Sequence, residues 1–248
     1  MTTIYKLIIQ LLIVILCASA ACPQMIKFKM GGNYNLLIMG SETFFEGKHY
    51  ELTIEDVSFG TFYNSAPGLL FDIRLFFWTH PEEFTNGFFF IGMSFEKTNI
   101  HAKDTPAKLV LGETISQNKI TPYIAYGDYL DDKSSFFSVF LGVSMKNYSG
   151  EGTVIFSDSL SNTYSGFGLY EYTDVLALRA GVGLDIENFM KTPMFLSLNS
   201  YYEWGVARRG KLSVNLSDDW VEFNPVGQKN IYDNTLNFSV SIGYRFNF

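Results

Sequence analysis

From Asn234 to Phe248 the chain reads N-T-L-N-F-S-V-S-I-G-Y-R-F-N-F, and its residues sort by parity. Leu236, Phe238, Val240, Ile242, Tyr244, Phe246 and Phe248 fall on one face, Thr235, Asn237, Ser239, Ser241, Gly243, Arg245 and Asn247 on the other. A two-residue period sustained that far predicts a β-strand with one apolar and one polar side. It outruns an ordinary globular strand of about five or six residues and is long enough to cross a bilayer at a tilt. The alternation recurs near 68–78, 87–97, 119–129, 135–145, 175–186 and 194–206. Each segment has about the 9–11 residues that a tilted membrane-crossing strand needs.

The spacing between segments is ordered too. Residues 79–86, 130–134 and 187–193 are short connections with turn formers such as His80-Pro81, Asp131-Asp132 and Thr192-Pro193. Residues 98–118, 146–174 and 207–233 are long and polar. Short and long alternate, which a soluble sandwich has no reason to do and an outer-membrane barrel does. The predicted fold is therefore all-β: an eight-stranded antiparallel up-and-down transmembrane barrel with its short turns in the periplasm. An even count needs one strand before 68–78, and two regions offer it, 27–39 and 50–63. The second has the better propensity, but its phase breaks around Glu55-Asp56 and it would leave some thirty mature residues ahead of the barrel. The first is preferred, with 40–67 an outer loop that extends the sheet above the membrane. A ten-stranded ring using both regions is the alternative.

Charges inside the segments keep to one face. Asp72, Arg74, Glu96, Arg179, Asp185, Glu203 and Arg245 run in phase with Gly, Ser and Asn and out of phase with the apolar positions. A basic side chain facing lipid at the midplane costs on the order of 2–4 kcal/mol, so these seven are assigned to the lumen. With four acids to three bases they are expected to form a mutually paired network. The interior of an eight-stranded barrel is only wide enough for side chains to fill, so such a lumen reads as a plug. Aromatics near strand ends predict two interfacial girdles. One is formed by Phe76, Phe77, Trp78, Phe88, Phe89 and Phe90 with Tyr129, Phe136 and Phe137, the other by Tyr201, Tyr202, Trp204 and Tyr232.

Residues 1–20 read as a secretory signal: Lys6, an apolar run from Leu7 to Leu16, and the small residues Ala18-Ser19-Ala20. Residues 21–248 form a single barrel domain on this reading. Cys22 is then the one mature cysteine, so no intramolecular disulfide forms. Ser19-Ala20-Ala21-Cys22 loosely resembles a lipidation box but has Ser19 where an aliphatic residue is expected, which leaves lipidation of Cys22 as an alternative. The chain carries 24 Phe and 15 Tyr at a mean hydropathy of only +0.09, as when apolar residues are spread over alternate outward positions. Its net charge of −7, with no basic cluster, leaves nucleic-acid binding without an electrostatic footprint.

Nucleotide loops, metal-ligand clusters and nucleophile elbows are missing from the sequence, and no cofactor is expected. His49 and His101 lie in predicted outer loops beside Glu51 and Asp104, and His80 lies in a predicted inner turn. A lone His in a polar loop is ordinarily a solvated side chain. Lys27-F-K-M-G-G-N-Y-N-L-L37, Ala66-P-G-L-L-F-D-I-R74, Ile120-T-P-Y-I-A125, Ala180-G-V-G-L-D185 and Ser241-I-G-Y-R-F246 together resemble the small outer-membrane barrel proteins of the PorT-like kind, related in shape to OmpA and OmpX. The resemblance implies an eight-stranded barrel, offers no catalytic residues, and suggests for some members a role in assembling a secretion apparatus. It also implies that Phe248 is a terminal signal read by the barrel assembly machinery.

The expected function is a non-enzymatic barrel of the bacterial outer membrane, acting in envelope structure or surface interaction through long outer loops. Expected partners are outer-membrane lipid, the barrel assembly machinery and an unknown surface or periplasmic protein. The competing readings are a secretion assembly factor, a surface hydrolase using His49 or His101, and a soluble ligand-binding barrel. Membrane fractionation separates the last from the rest: the mature chain should sediment with the outer membrane and change its gel mobility on boiling. Recovery from the periplasm without detergent would rule the membrane barrel out.

Overall fold

The computed structural model describes residues 25–37, 45–46, 48–49, 52–53, 66–78, 87–101, 114–130, 134–157, 163–216, 219–225 and 234–247. Residues 1–24, with the predicted signal and Cys22, lie outside that set, as do His80, Tyr232, Phe248 and most of 50–63. Eight long strands carry the fold: β1 (Met25–Leu37), β2 (Ala66–Trp78), β3 (Gly87–His101), β4 (Thr114–Tyr129), β5 (Ser135–Ser157), β6 (Thr163–Phe189), β7 (Met194–Leu216) and β8 (Thr235–Asn247). Each pairs antiparallel with the next, and β8 pairs with β7 on one edge and β1 on the other, closing the ring. The 27–39 segment is thus the first strand. The ten-stranded alternative is corrected: both edges of β1 are taken, by β2 and β8, so no edge remains for an inserted strand.

Alternation decides which side chains face out. Met30, Leu69, Phe95, Ile124, Leu141, Val182, Leu198 and Val240, one from each strand in ring order, are exposed, Leu69 and Leu141 by 71% and 62%. Their neighbours in sequence, Lys29, Leu70, Ser94, Tyr123, Phe140, Gly183, Ser197 and Ser239, are buried. A closed ring with apolar residues outside and polar ones inside is the reverse of a soluble core, and suits hydrocarbon as the outer solvent.

The long connections differ from expectation. β5, β6 and β7 have 23, 27 and 23 residues, so most of 146–174 and the start of 207–233 is paired sheet. Beyond the apolar belt a dozen further residues at about 3.3 Å each carry this sheet roughly 40 Å onward. The segment Asp219–Pro225 adds to β7, and Phe45–Glu46 pairs with Asn224 and Pro225. The strict apolar–polar alternation read in the sequence does not continue into this extension, which therefore carried no strand signal. Register shifts fall at Lys146/Tyr148 between β5 and β6 and at Gly205/Ala207/Arg209 between β6 and β7, where the sheet leaves the belt. An extra residue there raises the local twist and re-aims the strands.

His101 ends β3 opposite Thr114, and His49 sits in a two-residue strand opposite Leu52; both were expected in loops. Pro122 lies inside β4, where proline lacks a ladder donor. The β4–β5 register is interrupted there, running from Ile120↔Met145 to Tyr123↔Gly142. At the opposite end β6 reaches Phe189, with left-handed backbone at its penultimate residue Asn188 and at Met190 and Lys191 in the turn that follows.

Val240 lies near the middle of β8 and faces outward. Val240→Lys should lower stability by about 2–4 kcal/mol in lipid vesicles, while Ser239→Lys, one residue away, meets the lumen instead of lipid. Equilibrium unfolding in bilayers measures the first effect, and an unchanged midpoint would refute the outward assignment.

Candidate functional site

Among the described residues, the lumen is where the fold collects chemistry, and it is layered along the barrel axis. At the short-turn end lies an aromatic floor. Phe76 and Phe90 stack at 4.4 Å between centroids, and Phe76 meets Phe136 edge-on at 5.7 Å. Phe88 and Tyr129 pack beside them. Half the expected girdle is therefore inside. Phe76, Phe88, Phe90, Phe136 and Tyr201 are buried in the lumen, whereas Phe89, Phe137 and Trp204 face out. The same parity that sends charges inward sends alternate aromatics with them. Glycines opposite these rings make the room: a Cβ on Gly243 would lie 2.2 Å from Phe195, and one on Gly92 2.2 Å from Tyr123.

Lys27, from β1, extends into this floor. Its ammonium lies 5.1, 4.6 and 4.9 Å from the centroids of Phe76, Phe136 and Phe195, within cation–π range. It donates to Asp185 at 3.0 Å and to Glu187. Glu187 also receives Arg245 Nη1 at 3.0 Å, and Arg245 is the rim member, its side chain 19% exposed.

A middle layer surrounds Asp72. Tyr123 donates to it at 2.8 Å, and Lys29 and Arg74 each approach at 3.2 Å. Arg74 Nη1 reaches Asp185 at 2.9 Å, joining this layer to the floor. An upper layer is built on Glu96 and Glu203. Arg179 Nη2 lies 2.6 Å from Glu96 and 2.8 Å from Glu203, with its guanidinium 4.0 Å from the Tyr201 ring centroid. Lys119 touches both carboxylates, at 2.8 and 3.3 Å, and Lys146 reaches Glu203 at 2.9 Å. Asn33 and Tyr201 each donate to Glu96 at 2.6 Å, and Ser144 to Glu203 at 2.6 Å.

All seven charges read from the sequence line the lumen, in two groups. Asp72, Arg74, Asp185 and Arg245 belong to the lower and middle layers; Glu96, Arg179 and Glu203 form the upper one. Lys27, Lys29, Lys119, Lys146 and Glu187 were missed. Their signal was available, since Lys27 and Lys29 run in phase with Gly31 and Asn33, and Lys119 with Thr121. Lys146 and Glu187 fell one residue beyond the expected strand ends. The charge balance changes accordingly: among the described lumen residues seven cations face five carboxylates, not three facing four. Between the middle and upper layers is a cavity of about 20 Å³, room for one water-sized guest.

This closed eight-stranded ring with an apolar outer belt has the fold of a small outer-membrane β-barrel. Its fold is similar to that of the outer membrane protein OprG from Pseudomonas aeruginosa, with a TM-score of 0.52 and 14% identity over 92% of this chain and 98% of that one. A major outer membrane protein from Thermus thermophilus gives 0.51 and 10% over 89% and 99%. Ail of Yersinia pestis gives 0.40 and 12% over 90% and 99%. No family model and no curated protein matches the sequence. At these identities the likeness is one of fold.

Arg179 bridges both upper carboxylates, so Arg179→Ala leaves two buried acids short of a donor. Stability should fall by about 3–5 kcal/mol, the usual cost of breaking a buried pair. Arg179→Ala with Glu203→Ala should cost less than the two single changes summed, as residues in one network couple. Strict additivity in the double-mutant cycle would show that the bridge contributes nothing.

Proposed function

We propose that this protein is a non-enzymatic outer-membrane barrel with a side-chain-filled lumen, acting in envelope structure or surface interaction through the sheet that β5, β6 and β7 carry beyond the membrane. The length of those three strands is the observation behind this reading. A barrel that only had to span the bilayer needs about ten residues per strand, and here the excess is ordered as continuous antiparallel sheet. Paired backbone outside the membrane gives a rigid platform, on which exposed side chains meet a partner without the entropy loss of ordering a loop. Aromatic floor, ion-pair layers and a cavity of about 20 Å³ support a closed lumen with no path for a diffusing solute. Outer-membrane lipid, the barrel assembly machinery and an unidentified surface or periplasmic protein are the partners this reading requires; no cofactor enters it.

A second reading makes the protein an assembly factor of a secretion apparatus. The stretches at 27–37, 66–74, 120–125, 180–185 and 241–246 favour it through their likeness to PorT-like barrels, and co-purification of periplasmic or inner-membrane components would distinguish it.

Planar-bilayer recording tests the closed lumen: the purified barrel should give no large, steady single-channel currents, and such currents would overturn the plug. The platform is tested by replacing Ser149–Glu171 with Asn-Gly, which joins the register partners Tyr148 and Tyr172 by a tight turn. This variant should insert and keep its heat-modifiable mobility while losing surface interaction. Undiminished interaction would place the function elsewhere.

A further inference from the structure

Among the described lumen residues the charges do not cancel, and the imbalance has an address. In the lower and middle layers Lys27, Lys29, Arg74 and Arg245 face Asp72, Asp185 and Glu187; in the upper layer Lys119, Lys146 and Arg179 face Glu96 and Glu203. Each group carries one cation in excess. The cavity between them is lined by the cations Lys29, Arg74 and Arg179 and by a single carboxylate, Asp72. Asp72 is already engaged by Lys29, Arg74 and Tyr123.

Donor capacity points to the same spot. A guanidinium has five N–H groups. Arg74 uses its Nε on Asp72 and Tyr123, and one N–H of each Nη on Asp185 and Asn199, which leaves one on each Nη. Ser239, which also lines the cavity, accepts from Asn199 through its Oγ and keeps its own proton to give. Uncompensated positive charge, spare donors and a water-sized space thus coincide within a wall that faces lipid, where distant counterions screen little.

We infer that this cavity is a binding site for one small monovalent anion of halide size, held by the donors of Arg74, Arg179 and Ser239 in the field of Lys29, whose own three N–H groups go to Ser197, Asn199 and Asp72. A space of about 20 Å³ is on the scale of a single water or a small monovalent ion. The ion would neutralise one of the two excess charges and tie the middle layer to the upper one. The site rests on the closed-lumen reading. Large single-channel currents would sink that reading, whereas a non-conducting barrel indifferent to halide would sink only the site.

The test uses the full mature barrel in detergent, refolded in sodium gluconate and titrated with chloride, bromide or sulfate at constant ionic strength. Chloride and bromide should raise the melting temperature saturably, by about 5 °C or more at high occupancy, while sulfate should not. Crystals grown with bromide should show an anomalous peak between Arg74 and Arg179. Lys29→Met removes one of the cations, and Leu70→Phe fills the space while keeping every charge; each should abolish the halide response and the peak. Equal melting temperatures in gluconate and chloride, with no bromide peak, would mean that the cavity takes water only and would overturn the proposal. So would a halide response that survives Leu70→Phe.

Discussion

Hydrocarbon offers no partner to a backbone N–H or C=O, and every other feature of this protein follows from that constraint. A sheet meets it only by having no edge, so the pairing of β8 with both β1 and β7 is what makes the rest tenable. Thirteen register pairs join β1 to β8, from Met25↔Asn247 to Leu37↔Thr235, which brings the two ends of the barrel sequence together. Once the ring is closed its parity is common to all strands, and each residue has a solvent assigned: lipid or lumen. Where the ladder is interrupted, at Pro122, the neighbouring residues Tyr123 and Ile120 still pair on both sides.

Closure creates the second problem, an interior too narrow for bulk water and surrounded by a low dielectric. Charges there are tolerable only when shared. The arrangement is economical, since Arg179 serves two carboxylates, Glu203 receives three cations, and Asp185 links the floor to the middle layer. At the floor the protein replaces some carboxylate partners with ring faces, three phenylalanines around Lys27. An aromatic floor below and ionic layers above are two ways of filling the same cross-section. Beyond the belt the sheet continues, with β5, β6 and β7 still paired to one another.

The strand pattern was legible because lipid on one side and lumen on the other impose a period of two on the sequence. Segments 68–78, 87–97 and 119–129, the choice of 27–39 over 50–63, and the inward phase of Asp72, Glu96 and Arg179 all follow from that period. The extensions of β5, β6 and β7 were not legible, because the strict apolar–polar alternation stops near 145, 175 and 206 although the pairing goes on. The girdle was half misread for a related reason. Ring side chains suit both an interface and a packed interior, so Phe76 and Phe136 look in sequence like Phe77 and Phe137.

Sequence alone determined that these strands alternate, that lipid faces one side, and which charges turn away from it, since each is a local property of a strand in a fixed environment. Only the closed tertiary structure decided that Lys27 lies among three rings and that Arg179 spans Glu96 and Glu203. Side-chain partners across the barrel lie up to 170 residues apart, as Lys29 and Asn199 do, and their meeting depends on ring closure and stagger. Local periodicity carries no record of either.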